Sequence, residues 1–218
     1  MPSSSKSKPR ADQPSRVERR RARTREALLN AAERLLATRP VETVYVDEIA
    51  ELADVAKGTF YNYFTDKDAL VREVEDAVRS ELERRIAETN AEISDPAERV
   101  ARAFAALLSL SLEDATRARN LVRRTPRFAD PDAPINAGVK RDVHAGIADG
   151  RFQGVTDEAG VVIVLAIMSG GVHRALDLKH RKKVRVLGEG LAEALLVALG
   201  LQRADAAEVA RRAMKDFD

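Results

Sequence analysis

The sequence predicts an all-α protein, and three observations carry that prediction. Apolar residues recur three and four positions apart along most of the chain, the spacing of a helix with one buried face. Thr and Asp stand where N-caps are needed, and prolines stand where helices stop or start. The run Val161 to Met168 would fit a buried strand by periodicity alone, but its neighbours are helical and it has no candidate partner strand.

The elements follow in order. Thr24 is the expected N-cap of a first helix whose inner face is Leu28, Ala31, Ala32, Leu35 and Leu36. Pro40 ends it, because the residue before a proline is pushed out of the helical region. A short helix over 46–53 turns Val46, Ile49, Ala50 and Ala53 inward. Asp54-Val55-Ala56 then has the length of a helix–turn–helix connection, and a third helix covers 57–64. Asp66 caps a fourth helix over 67–91, running through Leu70, Val74, Ala77 and Val78 towards Ile86. Asp95-Pro96 opens the next, with Val100, Phe104, Leu107 and Leu108 on one side. Helices at 117–124, 135–149, 157–179, 183–199 and 204–217 complete the chain, and the proline-rich stretch 126–134 reads as a loop.

Composition narrows the classes. A length of 218 residues suits one large or two small domains, and 44% apolar with a third charged suits a soluble globular chain. The absence of Cys excludes disulfides, thiolate zinc sites and a cysteine nucleophile. The longest uninterrupted apolar run, Ala159 to Met168, is about ten residues, short for a membrane span. The basic N-terminus lacks the apolar stretch of a secretory signal, so no membrane partner is expected and the cytoplasm is the default compartment.

Charge is unevenly placed. Residues 1–25 hold nine basic and two acidic side chains, with five Ser and three Pro. Such a segment buries too little apolar area to offset its ordering entropy, so 1–22 reads as a disordered basic tail. Either a nucleic-acid partner or a solubilising role accounts for it on charge alone. Residues 26–70 hold four basic and nine acidic side chains, and the rest is balanced with 24 of each. Aromatics are uneven too: five of the nine (Tyr45, Phe60, Tyr61, Tyr63 and Phe64) fall in one short stretch.

That stretch carries the chemistry. A helix–turn–helix presents the helix after its turn to the DNA major groove. At about 100° per residue, Phe60 and Phe64 share the side that packs on Ile49, Ala53 and Leu70. Gly58, Thr59 and Asn62 fall opposite, flanked by Lys57, Tyr61 and Tyr63. Gly58 lets the backbone approach a duplex. Thr59 can bond phosphate or touch a thymine methyl, Asn62 can pair bidentately with adenine, and Lys57 can reach guanine acceptors. The Tyr61 and Tyr63 hydroxyls can bond phosphate, and Lys67 adds a cation beside helix amides that suit an anion. The bland alternative is a small helical subdomain with a partly exposed aromatic helix.

Lys57-Gly58-Thr59-Phe60-Tyr61-Asn62-Tyr63-Phe64, preceded by Asp47-Glu48-Ile49-Ala50 and followed by Asp66-Lys67-Asp68-Ala69-Leu70, resembles the N-terminal domain of TetR-type (TetR/AcrR family) transcriptional regulators. The close resemblance spans 24–75. It implies a helix–turn–helix DNA-binding domain over 23–70 and a helical regulatory and dimerisation domain over 71–218. It also implies a homodimer on a palindromic operator of double-stranded DNA, with a small-molecule effector in the C-terminal domain releasing the repressor. Three positions depart from the family pattern. Asp54 replaces the usual turn glycine, Ala56 an often-seen Ser cap, and Tyr45 an often-seen Thr that contacts phosphate. A net acidic segment meets DNA poorly unless its acids point away, so Arg19, Arg20, Arg21 and Arg23 are expected to reach a flanking minor groove or phosphates.

In the C-terminal part, Ala159 to Ala175 and Leu187 to Leu199 are two helices with broad apolar faces, suited to a dimeric four-helix interface as the resemblance implies. Candidate pocket residues are Phe104, Leu108, Phe128, His144 and Met168, each of which plain core packing would also explain. His173 suits an interface or a polar pocket group. Arg117, Arg119, Arg123 and Arg124 suit an anion or a solvated face. No catalytic constellation, cofactor motif or metal-ligand spacing is present: the three His lack HExxH spacing, and Lys57-Gly58-Thr59 is not a phosphate loop. The chain therefore reads as a repressor rather than an enzyme. The alternative is a DNA-binding regulator or architectural protein controlled by a protein partner, without a small-molecule ligand.

Overall fold

The computed structural model describes residues 15–124 and 136–215. Its helices are α1 (Arg16–Leu36), α2 (Val46–Leu52), α3 (Lys57–Phe60), α4 (Lys67–Asn90), α5 (Pro96–Glu113), α6 (Ala115–Arg124), α7 (Ala137–Ala148), α8 (Asp157–Leu178), α9 (Arg181–Ala198) and α10 (Arg203–Ala213), with a 3₁₀ turn at Val41–Thr43 before α2. No strand occurs among the described residues.

The expected starts of α4 and α5 hold. The Asp66 carboxylate accepts from the Ala69 amide at 2.7 Å, and the Asp95 carboxylate from the Ala97 amide at 2.9 Å. The start of α1 does not. The helix begins at Arg16, not after Thr24, closed by a capping box in which Glu18 N donates to Ser15 Oγ and Ser15 N to Glu18 Oε2. Residues 16–22, assigned to a disordered tail, are helical. Arg and Ala are good helix formers, and these exposed turns carry no apolar stripe to announce them. Residues 1–14 lie outside the described residues. The third helix is also shorter than expected. Beyond Phe60 the chain continues in tight turns, with Asn62 N bonding Thr59 O and Tyr63 N bonding Phe60 O.

Two apolar cores form. The head gathers Leu28, Ala32, Leu36, Val44, Ile49, Phe60, Phe64, Leu70 and Val74 from α1 to α4. The body begins at Val78 of the same α4 and takes in α5 to α10. Its hub is α5, which touches α4 and all five helices after it. There a Cβ on Gly171 of α8 would lie 2.5 Å from the Phe104 ring, so a glycine is what lets α8 sit against α5. By length and composition α8 could cross a membrane, though its unbroken apolar run is short; 50% of that stretch is buried inside the protein, and it serves as a core helix. At the end of the body remote from the head, Arg151 joins Asp95 and Asp205. Burial alone would raise Asp95, but the Arg151 guanidinium and then the Ala97 amide bring it below its ordinary value.

Candidate nucleic-acid interface

The turn between α2 and α3 explains how Asp54 stands in for glycine. Asp54 adopts φ +55°, its amide donates to Glu51 O, and Val55 N donates to Ala50 O, both at 3.0 Å. This is a Schellman closure, and Asp is among the few side chains that tolerate its left-handed residue. Ala56 has the extended geometry of an N-cap, φ −66° and ψ 145°, but no side chain caps α3.

Phe60 and Phe64 anchor α3, both buried in the head core with ring centroids 5.7 Å apart. With these inward, Lys57, Gly58, Tyr61 and Asn62 lie exposed and Thr59 half-buried. Tyr61 rests edge-on against Phe60 at 5.2 Å and leaves 53% of its surface open. A Cβ at Gly58 would meet nothing within 4 Å, so the backbone there is free to be approached. Tyr45, at the N-cap of α2, is 65% exposed. Its amide donates to Glu48, and that bond, then Arg39, holds Glu48 below the usual carboxylate range.

Three candidates carry a further constraint. Lys57 Nζ sits 2.7 Å from Asp47 Oδ1, and this hydrogen bond raises the ammonium above its ordinary value. Tyr63 is half-buried on the head core, with the Arg21 guanidinium 5.9 Å from its ring. Lys67 also carries a structural contact: its ammonium donates to the carbonyls of Val41 and Val44, at 2.7 and 3.0 Å, and so closes the 3₁₀ turn with two of its three N–H bonds.

The acids of the head are partly accounted for by structural duties. Asp47 pairs with Lys57, Glu48 with Arg39, Glu33 with Arg117, and Asp66 caps α4. The exposed first turns of α1 set Arg16, Arg19, Arg20, Arg21 and Arg23 on one end of the head. Sequence reasoning missed Arg25, which pairs with Glu73 of α4 and lies over the Phe64 ring at 5.2 Å. Once α1 is extended to Arg16, Arg21 and Arg25 fall four apart on one face, and that spacing was the available signal.

Head and body meet through α6. Arg117 Nε contacts Glu33 Oε1 at 3.0 Å, and the buried Asn120 donates from Nδ2 to Glu33 O at 2.9 Å. The body holds a cavity of about 420 Å³, partly open to solvent, between α4, α5, α7 and α8. Of the proposed pocket residues only Met168 lines it. Phe104 and Leu108 are fully buried core, because α5 is covered on nearly every side. His144 lies on the surface with Nδ1 3.1 Å from Asp157. Phe128 lies outside the described residues. Asn90, Val100, Arg141 and Asp142 line the cavity and were not anticipated.

Residues 28–74 match the bacterial regulatory proteins of the tetR family, and residues 95–212 match the tetracyclin repressor-like C-terminal domain. The chain belongs to the TetR family. It is therefore a transcription regulator with a helix–turn–helix DNA-binding domain, of a family whose members are generally non-enzymatic DNA-binding proteins. Among solved structures it is similar to RolR in complex with the ligand resorcinol, at 29% identity over 89% of this chain and 96% of that one, with a TM-score of 0.63. A tetR family transcription regulator from Shewanella sp. PV-4 shares the fold at 15% identity, 82% and 99% coverage and a TM-score of 0.71. An ArpA-like gamma-butyrolactone receptor shares it at 16% identity, 90% and 99% coverage and a TM-score of 0.67. No curated protein sequence matches the chain.

Proposed function

We propose that this TetR-family chain is a cytoplasmic transcriptional repressor that binds a palindromic operator as a homodimer and is released by a small-molecule effector. One observation carries the reading: an unbroken set of contacts from the cavity to α3. The cavity lies against α4 and α5, and α5 leads into α6 at Asp114. Arg117 and Asn120 tie α6 to Glu33 of α1, α1 packs on α2, and α2 packs on α3. An effector that fits one arrangement of α4 to α6 better than another shifts the population of head positions. Two α3 helices reading successive major grooves must stand about 34–36 Å apart, so a small shift suffices to mis-space them.

The outer faces of α8 and α9 support a dimer. Val162 and Val186 are 45% and 62% exposed. Gly170 and Gly190 are exposed, and a Cβ on either would meet nothing within 4 Å. A glycine inside a helix costs about 1 kcal/mol against alanine. Packing within this chain does not call for either one, whereas close approach by the same face of a second copy does.

The resorcinol held by RolR supports an effector of similar size, since about 420 Å³ suits a small molecule. The test is selection of bound sequences from a random duplex library, repeated with Tyr61→Ala and Asn62→Ala and then with resorcinol added. An enriched palindrome that both variants lose supports the reading. Sequence-blind binding that disappears with salt refutes it, leaving only the electrostatics of the basic N-terminal region.

A further inference from the structure

Lys179-His180-Arg181-Lys182-Lys183 joins α8 to α9, four cations and a histidine in five consecutive exposed residues. No acid lies between Asp177 and Glu189, and these two already contact Arg174 and Arg185, at 3.9 and 3.7 Å. The side chains of Lys179, Lys182 and Lys183 make no hydrogen bond or ion pair among the described residues. The fold does not call for cations here. Lys179 closes α8 at φ +50°, the left-handed position that glycine ordinarily takes. In α9, Arg181, Lys182 and Lys183 fill a first turn that has no acid and no side-chain cap, so they stand at the positive end of the helix. Positions that break local rules without a gain in packing are where function is expected.

Topology decides which way this turn faces. From Val74 to Asn90, α4 carries the chain about 24 Å away from the head, at about 1.5 Å per residue, to the end where Arg151 joins Asp95. Just past Arg151, Gln153 N donates to Leu199 O at 2.9 Å, and a Cβ on Gly160 would lie 3.5 Å from Leu199. So α8 begins and α9 ends at that remote end. A Cβ on Gly171 would lie 3.2 Å from Leu191, so the two helices run antiparallel. Their 179–183 turn is therefore at the head-side end of the body, the end where α6 meets α1. Lys182, Val186 and Gly190 fall four apart, so Lys182 prolongs the face of α9 assigned above to a second copy. In that dimer the two turns stand near the two-fold axis, above the DNA that runs from one head to the other.

We infer that this basic turn is a further DNA-contacting surface, in which Lys179, Lys182 and Lys183 of both copies attract the phosphates at the centre of the operator, between the half-sites read by α3. This rests on the operator reading above and adds a contact outside the head. The five residues include no apolar side chain to enter a lipid surface, and they face the same way as the heads, which favours DNA over a membrane. The attraction extends past the reach of the side chains, over a Debye length of about 8 Å at physiological salt.

The test is titration of the full-length protein with the palindrome enriched by selection, at several salt concentrations. The triple variant Lys179→Gln, Lys182→Gln, Lys183→Gln binds at least about tenfold more weakly at physiological salt, and its salt slope is shallower by about two units or more, each neutralised phosphate contributing about 0.9. Arginine at the same three positions leaves affinity and slope unchanged. Lys179→Gly weakens operator binding yet leaves the urea midpoint no lower, because glycine relieves the left-handed residue. A merely structural role would move both together. Methylphosphonates that neutralise the central phosphates weaken the wild type and leave the glutamine variant unaffected. Equal affinity and slope for the two proteins, or equal loss on the methylphosphonate operator, overturns the inference while the operator reading stands. Capture of the wild type but not the variant by phosphatidylserine vesicles, with operator binding unchanged, also overturns it and assigns the turn to a membrane. If no palindrome is enriched, both readings fall.

Discussion

The left-handed residue in the helix–turn–helix offers a test with a predicted change of sign. Asp54 sits at φ +55°, and its side chain makes no hydrogen bond or ion pair among the described residues. Replacing it with glycine or with alanine removes the same charge, so the difference between the two variants isolates the backbone. Alanine in the left-handed region costs about 1–2 kcal/mol. Glycine avoids this but gives back about 0.4–1 kcal/mol through the freedom of its unfolded chain. Asp54→Gly is therefore more stable than Asp54→Ala by about 1 kcal/mol. At Glu51, exposed within α2, the order reverses, because there alanine is the better helix former by about 1 kcal/mol. The assay is urea unfolding followed by tyrosine fluorescence. The chain has three Tyr and no Trp, and all three Tyr lie in the head, so the signal reports that core. At an m-value of about 1–2 kcal/mol/M the two Asp54 variants separate by roughly 0.5–1 M urea. Equal midpoints, or alanine the more stable, would refute the turn geometry.

Four further outcomes are expected. Ala56→Ser supplies the missing cap of α3 and stabilises the head by about 1 kcal/mol in the same assay; no gain would mean that the α3 amides are already satisfied. Asp47→Ala frees the Lys57 ammonium and removes a negative charge beside it, so operator affinity rises and its salt dependence steepens by about one unit of slope, measured by titration at several salt concentrations. Arg117→Ala costs at most about 1 kcal/mol of stability, because the guanidinium is partly exposed, yet it weakens effector-driven release while operator affinity without effector changes little. In acid, Asp95 contributes stability that is present above its unfolded pKa, near 4, and is lost as pH falls through its lowered folded value. Asp95→Asn should accordingly flatten the fall in stability below about pH 4, and an unchanged acid limb would contradict the Arg151 pairing.

What the sequence discloses depends on how far apart the determinants lie. The caps at Asp66 and Asp95 are local, and their helices start where expected. Phe60 and Phe64 needed only a helical period to be turned inward. The first turns of α1 escaped because an exposed helix has no apolar stripe; the Ser15–Glu18 capping box was the sign to read. Lys67 could not be read in advance, since its partners at Val41 and Val44 become neighbours only when α4 folds back on the 3₁₀ turn. The cavity is least legible of all. Asn90 closes one helix, Asp142 sits within another, and both are ordinary polar residues until α5 brings them to one space. Phe104 and Leu108 looked like pocket residues for the reverse reason: their apolar pattern is that of any core helix.

The division of the two cores within α4, between Val74 and Val78, marks a place where the molecule can be cut and rejoined. A head taken from another member of the family and spliced there would bring its own sequence preference to this body's chemical trigger. The splice inherits one obligation: the donor head must offer a carboxylate at the position of Glu33 to meet Arg117, and a backbone carbonyl there for Asn120. Recombination, natural or engineered, that respects this junction can redirect the regulator to new operators without rebuilding the part that senses.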